Sequence, residues 1–197
     1  LGVDAEAVLQ GRDDARAVFQ KRLLSLIDEA SADQQVTAAQ KTYDQAVRDF
    51  ESNGNSMVVA AGNSGRVVRM LQMDSSEVEL APDFYRNILA NDQVTTVGST
   101  RQFLGSEMVA DYTNKDSGID LYADGDIGKD WGTSFATPRI ASIMARLHRE
   151  NPQATSAEVE VMVGNRFGQK FDHYADSPTA PAVDEAQVKQ WLSDSLF

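Results

Sequence analysis

A short apolar run that stops at a glycine-bounded turn is the feature that most constrains this chain. Residues 57–61, MVVAA, form a continuous apolar segment, and residues 62–65, GNSG, follow directly. A run this short without polar alternation is typical of a strand buried on both faces of a parallel sheet. Two more strand candidates are residues 94–97 and 119–122. Because helical segments alternate with these strands, the sequence predicts an α/β fold with a parallel sheet flanked by helices.

Helical periodicity dominates the first and last thirds of the chain. Apolar residues recur every three or four positions over residues 13–30 and 34–50, which predicts a helical hairpin packed on the core and stopped near a left-handed Gly54. Thr155 and Glu158 form a capping-box pattern. Further helices are predicted over residues 134–149, 155–163 and 184–196, and some helix is predicted over residues 82–89.

Composition excludes several classes of function. The chain of 197 residues carries 30 acidic and 18 basic residues, a formal charge of −12, which disfavours binding to nucleic acid. It has no cysteine, so disulfides, thiolate metal sites and cysteine nucleophiles are excluded. Its longest apolar run is far shorter than the roughly 20 residues needed to cross a bilayer, so no membrane span is expected.

Two polar residues lie where chemistry is plausible in such a fold. Asn63, between two glycines, follows the first strand at the sheet edge where ligands of α/β proteins gather, although turns favour these residue types for conformational reasons alone. Ser134 opens a helix predicted to be buried, and a serine there is usually an N-cap. Since Pro138 is tolerated in the first turn, the helix is expected to begin close to Ser134. Its N-terminus would stabilise the negative charge formed when a serine attacks a carbonyl.

Together these segments resemble the motifs of the subtilisin-like serine peptidases. Residues 132–138, GTSFATP, resemble the nucleophile motif, and residues 58–65 resemble the oxyanion-hole motif, with a separation between Asn63 and Ser134 similar to the family's. Residues 119–125 resemble the strand and Ala-Pro-Gly turn that precede the nucleophile, with aspartate in place of proline. The resemblance implies a subtilisin-like fold and a serine endopeptidase acting on peptides or proteins.

The resemblance also implies roles for individual residues. Ser134 would be the nucleophile that forms the acyl-enzyme. Asn63 would donate its side-chain amide to the oxyanion, together with the backbone N–H of Ser134. The residues implied to contact substrate are Leu1, Gly2, Ala60, Ala61, Gly62 and Thr133.

The catalytic Asp and His that the family carries ahead of these motifs have no counterpart here. No histidine precedes His148, which lies ~21 Å beyond Ser134 if both are on one helix rising 1.5 Å per residue. His173 lies in an irregular tail. We therefore expect a partial domain lacking the N-terminal strands, whose Asp and His come from a companion N-terminal fragment that pairs with the bare edge of the sheet. The start at Leu1, in mid-motif, favours a cleaved or truncated protein, and a non-catalytic binding or scaffold module is the alternative.

Residues 1–40 depart from the family pattern. They are expected to hold the start of the substrate-binding strand and an inserted helical hairpin that narrows the cleft or docks a partner, with residues 41–197 forming the C-terminal portion of the catalytic domain. No cofactor is assigned. Asp120, Asp124 and Asp126 could hold calcium, but their spacing does not follow an EF-hand loop. Secretion or a place in the cell envelope is favoured by the resemblance, while the sequence itself leaves the localisation open.

Overall fold

The computed structural model describes residues 8, 10, 12–71, 89–114, 118–169 and 180–194. The helices in these residues are α1 (Asp13–Ala32), α2 (Gln34–Ser52), α3 (Gly65–Met70), α4 (Thr133–Glu150), α5 (Ser156–Phe167) and α6 (Glu185–Asp194). The strands are β1 (Val58–Ala60), β2 (Thr95–Phe103), β3 (Ser106–Val109), β4 (Leu121–Asp124), β5 (Asp126–Ile127), β6 (Asp130–Trp131), β7 (Gly168–Gln169) and β8 (Ala182–Val183). No helix among the described residues has the length and apolar character required to span a membrane.

The main sheet is mostly parallel, as the sequence predicts. Its strand order is β1-β2-β4-β8-β7. Strands β1, β2, β4 and β8 run parallel to their neighbours, with Val58 opposite Thr95 and Val97 opposite Leu121. The second half of β2 turns back as a hairpin with β3, and β7 pairs antiparallel with β8. Because β1, β2 and β4 run parallel, their carboxyl ends lie at one edge of the sheet.

Both faces of the sheet are buried, which explains the unbroken apolar run in β1. On one face, α4 packs against β1, β2 and β4. The core on this side joins Val97 and Leu121 of the sheet to Ile140 of α4 and Val163 of α5, all with at most 1% of their surface exposed. Each such side chain contributes about 1.5–3 kcal/mol by its burial. On the other face, Val59 packs against α2.

The helical hairpin forms as predicted, but its packing is less complete than its periodicity suggests. In α2, Val47 is 3% exposed, whereas Val36 is 51% and Phe50 is 47% exposed. The expectation that this whole apolar stripe packs on the core is therefore wrong at its two ends. Gly54 ends the hairpin with φ +80°, as predicted. Residue 40 lies inside α2, and the division of the chain at this residue stays a prediction.

Several short elements carry no recognisable signal in the sequence. The strand predicted at residues 94–97 continues to Phe103 and forms the β2–β3 hairpin, while the small strands β5 to β8 were not predicted. These strands are two to four residues long, or extend beyond an apolar core, so alternation cannot identify them. Apart from Leu89, which lies in a turn, the helix predicted at residues 82–89 falls outside the described residues.

Candidate active site

The two motifs lie side by side at the edge of the sheet where β1 ends. Residues 61–64 follow β1, and α4, which packs on β1 and β2, begins at Thr133. The Oδ1 atom of Asn63 accepts hydrogen bonds from the backbone N–H of Thr133 at 2.9 Å and from the Thr133 hydroxyl at 3.0 Å. The fold thus places Asn63 against the residue that precedes Ser134.

These hydrogen bonds fix the orientation of the Asn63 carboxamide. A backbone N–H can only donate, so the atom facing Thr133 must be the oxygen, and the NH2 group faces away from it. Position 132 adjoins this NH2 group, since a Cβ added to Gly132 would lie 3.2 Å from Asn63 Nδ2. Asn63 is exposed, so its two donor hydrogens are accessible at the N-terminus of α4.

Thr133 is buried and links Asn63 to the backbone of the same loop. Its side chain is 0% exposed, and its hydroxyl accepts a hydrogen bond from the N–H of Gly62 at 3.2 Å while donating to Asn63. One hydroxyl can do both, because it has one hydrogen and two lone pairs. Thr133 therefore orients Asn63, and its side chain offers no free surface for the substrate contact that the sequence predicts.

Ser134 is the second residue of α4 and is exposed. The N-cap residue of α4 is Gly132, so no side chain caps the start of the helix. The N–H of Ser134 belongs to the first turn, whose donors have no acceptor within the helix. The expectation that Pro138 falls within the first turn is wrong: it is the sixth residue of α4. As it has no N–H, it leaves the carbonyl of Ser134 without the usual helical hydrogen bond.

The other residues implied to contact substrate differ in their accessibility. Ala61 is 0% exposed and packs with Ile119 and Tyr122, so a ligand could meet only its backbone. Ala60 and Gly62 are partly exposed. Leu1 and Gly2 lie outside the described residues, as does His173.

His148 is too far from Ser134 to act as its base. Both residues lie on α4, fourteen positions apart, or ~21 Å along the helix axis. The Nε2 atom of His148 lies 2.6 Å from the hydroxyl of Ser56, near the opposite end of α4. Within the described part of the chain, no histidine stands beside Ser134.

A network of polar and aromatic side chains lies beside the site and was not predicted from the sequence. Tyr112 is 1% exposed, and its hydroxyl lies 2.8 Å from Ser99 Oγ and 3.3 Å from Asp126 Oδ1. Burial raises the pKa of Tyr112, and the nearby Asp126 carboxylate raises it further. The ring of Tyr112 packs against Trp131 at 4.6 Å between centroids. The sequence carries no signal for these contacts, because they join residues more than ten positions apart in different elements.

An ion pair extends this network. Arg66 donates to both carboxylate oxygens of Asp111, at 2.7 and 2.9 Å, and its guanidinium lies 5.0 Å from the ring centroid of Trp131. The hydrogen bond from Arg66 lowers the pKa of Asp111. The pair stabilises α3, which begins two residues after Asn63, against the loop that follows β3.

The carboxylates considered for calcium are engaged separately. Asp120 accepts a hydrogen bond from the N–H of Thr96 at 2.8 Å, and Asp126 lies 3.7 Å from Arg101. Asp124 lies 3.6 Å from Arg139. Over the residues that the structure describes, no group of three or more His, Cys, Asp or Glu side chains could hold a metal ion.

Comparison with known proteins identifies relatives of this fold. The chain matches the sequence model of the subtilase family, peptidase S8, over residues 25–184. A lanthipeptide protease is similar in structure, with a TM-score of 0.54 and 17% identity, over 82% of this chain and 58% of that one. Fervidolysin from Fervidobacterium pennivorans, a keratinolytic enzyme related to subtilisin, has a TM-score of 0.50 and 16% identity, over 80% of this chain and 25% of that one. This chain thus spans less than two thirds of either protein, and the low identities make these likenesses ones of fold. No curated protein matches the chain.

Proposed function

Because the chain belongs to the subtilase family, we propose that it supplies the nucleophile and an oxyanion donor of a serine endopeptidase. The observation that carries this proposal is the orientation of Asn63. Its oxygen is held by Thr133 and its NH2 group is accessible beside the N-terminus of α4, where Ser134 is exposed. A hydroxyl nucleophile and two N–H donors, from Asn63 and from the backbone of Ser134, then stand at one helix end.

In this proposal Ser134 Oγ attacks the carbonyl carbon of the scissile peptide while a histidine takes its proton. The carbonyl π electrons move to oxygen, and this oxyanion accepts hydrogen bonds from Asn63 Nδ2 and the N–H of Ser134. The tetrahedral intermediate then collapses as the C–N bond breaks, and the amine leaves with the proton from the histidine. Water hydrolyses the resulting ester and frees Ser134.

The catalytic histidine and its aspartate partner are proposed to come from a companion segment outside this chain. Two observations support this. His148 is hydrogen-bonded to Ser56 at the end of α4 that lies away from Ser134. Strand β1 also ends the described strand order on the side next to Asn63, where a further parallel strand could carry groups to Ser134. Peptide or protein substrates follow from the same proposal.

Labelling with a fluorophosphonate, read by intact mass, tests the proposal. The purified protein is used with any companion polypeptide retained. We expect one adduct on this chain, lost in Ser134→Ala. Ser142→Ala is the matched control, since Ser142 is also exposed on α4 but bonds only to the carbonyl of Arg139 within the helix. A folded sample that does not label, or a label that persists in Ser134→Ala, would contradict the proposal and favour a non-catalytic binding module.

A further inference from the structure

Asn114 bridges the backbone on both sides of Asn63. Its Oδ1 atom accepts a hydrogen bond from the N–H of Ser64 at 2.7 Å, and its own N–H donates to the carbonyl of Gly62 at 3.0 Å. Asn114 is 7% exposed. One buried asparagine therefore holds the backbone on both sides of Asn63, the residue that carries the proposed oxyanion donor.

The shape of the loop is matched to this bridge. Gly62 has φ +104°, and a Cβ at this position would lie 2.6 Å from Asn114 Nδ2. A Cβ on Gly65 would lie 2.3 Å from the carbonyl of Thr113. The segments 62–65 and 113–114 thus approach so closely at positions 62 and 65 that only glycine fits at these two positions.

Asn114 is itself attached to the sheet. The preceding residue, Thr113, is 0% exposed, and its hydroxyl donates to the carbonyl of Ser99 at 3.1 Å and accepts from the Ser99 N–H at 3.2 Å. Ser99 lies in β2, so the bridge connects the Asn63 loop to a central strand. A rigid connection of this kind limits how far the Asn63 backbone can shift when charge forms on the substrate.

We infer that Asn114 is a positioning residue for the oxyanion donor. It acts through Asn63: Asn114 fixes the backbone of the loop, and Thr133 fixes the side chain. This inference rests on the proposed function. Loss of the Oδ1 bridge would let the Asn63 amide move relative to Ser134, and displacements of about 1 Å at such sites cost up to about 100-fold in rate.

A double-mutant cycle tests this role on the whole protein. Peptide hydrolysis is measured for Asn114→Ala, Asn63→Ala and the double variant. Each kcat is calculated from the concentration of active sites, which is found by titrating Ser134 with the fluorophosphonate. We expect Asn114→Ala to lower kcat about 10- to 100-fold with little change in KM. In the Asn63→Ala background we expect the same substitution to have no further effect.

Two further variants control for folding and chemistry. Asn114→Asp keeps the acceptor for the Ser64 N–H and is expected to retain most of the turnover. If Asn114→Ala does not fold, Asn114→Ser replaces it, because the serine hydroxyl is one bond too short to reach Ser64. Asn91→Ala is the matched remote control, since Asn91 accepts from the N–H of Gln93 at 2.9 Å in the turn before β2.

The outcomes separate the two proposals. Equal losses from Asn114→Ala with and without Asn63 would overturn the positioning role while leaving the peptidase proposal standing. A similar loss of kcat in Asn91→Ala would also overturn the positioning role and leave the peptidase proposal standing. A folded wild-type protein that neither labels nor cleaves peptide overturns the peptidase proposal, and the positioning role with it.

Discussion

At position 125, near the site, the surrounding atoms leave room for glycine only. A Cβ at this position would lie 1.8 Å from Ser99 Oγ and 2.7 Å from the carbonyl oxygen of Gly132. The same glycine accepts a hydrogen bond from the Gly132 N–H at 3.0 Å, so it joins the end of β4 to the start of α4. The backbone carbonyl cannot yield as a flexible side chain could. This contact thus helps to position the start of α4, where Ser134 lies.

We predict that Gly125→Ala lowers the free energy of unfolding by about 1–3 kcal/mol, because overpacking forces the backbone to shift. Gly164→Ala is the matched control. Gly164 lies inside α5, where a Cβ would make an ordinary contact 3.4 Å from Pro181, so we expect a gain of roughly 0.5–1 kcal/mol from helix propensity. Urea denaturation measures both. Equal effects of the two substitutions would contradict the packing argument.

A second prediction at this scale concerns Thr133. Thr133→Val keeps the shape of the buried side chain but removes the hydrogen bonds that its hydroxyl makes with Gly62 and Asn63. The backbone N–H of this residue still donates to Asn63. We expect Ser134 labelling by fluorophosphonate to slow roughly 5-fold, which corresponds to about 1 kcal/mol for the lost orientation of Asn63. Circular dichroism checks that the fold is retained. A labelling rate equal to that of the unsubstituted protein would show that Asn63 needs no help from this hydroxyl.

Helix α5 shows how an element is attached to the sheet through a carboxyl group. Glu160 Oε2 accepts a hydrogen bond from the hydroxyl of Thr95, the first residue of β2, at 2.7 Å. Burial raises the pKa of Glu160 above its usual 4.5, and the charges of Asp120 and Glu51 raise it further. At the start of the same helix, hydrogen bonds from Thr155 lower the pKa of Glu158. One helix thus carries two carboxyl groups with opposite responses to pH.

The pH dependence of stability should show both responses. Since the folded state holds the Glu160 proton more tightly than the unfolded chain, this group destabilises increasingly as pH rises above 4.5. Glu160→Gln keeps an acceptor for Thr95, so its advantage over the unsubstituted protein should grow from pH 4 to pH 7. Glu158→Gln should show the reverse, a deficit present near neutral pH that is lost as pH falls below 4.5 through the lowered pKa of the folded state. Urea midpoints measured from acidic to neutral pH, on both sides of 4.5, test both variants, and parallel curves would contradict the assignment.

At the scale of the whole molecule, the first helix of the hairpin, α1, is attached to the rest through a small core of its own. Leu71, which follows α3, is 2% exposed and packs with Ala15, Phe19 and Leu23 of α1. Gln20 also donates a hydrogen bond to the carbonyl of Leu71. The main core beneath α4 and α5 is a separate cluster. Helices α1 and α3 are therefore expected to open without unfolding the sheet, whereas α2 packs on Val59 of β1 and is expected to stay with it. The proposal that the hairpin narrows the cleft or docks a partner is still to be tested.

Two matched leucine substitutions distinguish the small core around Leu71 from the main core beneath α4 and α5. Leu71 and Leu147 are both 2% exposed, but Leu147 belongs to the main core. We expect Leu71→Ala to raise amide hydrogen exchange in α1 and α3 while α4 and α5 keep their protection. Leu147→Ala should lower global stability by about 2–5 kcal/mol and raise exchange in all slow amides. Uniform acceleration by Leu71→Ala would mean that the chain unfolds as one unit.

The sequence by itself determined the fold class, the longer helices and the candidate site. Apolar periodicity identifies α1, α2 and α4 to within a few residues, because burial imposes it locally. The capping box at Thr155 and Glu158 forms as predicted, since its hydrogen bonds join residues three apart. The motifs around Asn63 and Ser134 identify the family because their glycines, polar residues and order along the chain are all visible in one dimension.

Only the tertiary structure decided which residues surround these motifs. Asn114 and Ser64 are 50 residues apart, and Arg66 and Asp111 are 45 apart, so no local pattern predicts either contact. The same holds for the exposed ends of α2, since periodicity indicates an apolar face but not how much of it finds a partner. Contacts of this kind depend on crossover connections that bring loops to one edge of the sheet. The sequence contains the residues that make these contacts, but it does not show that they lie next to each other in the fold.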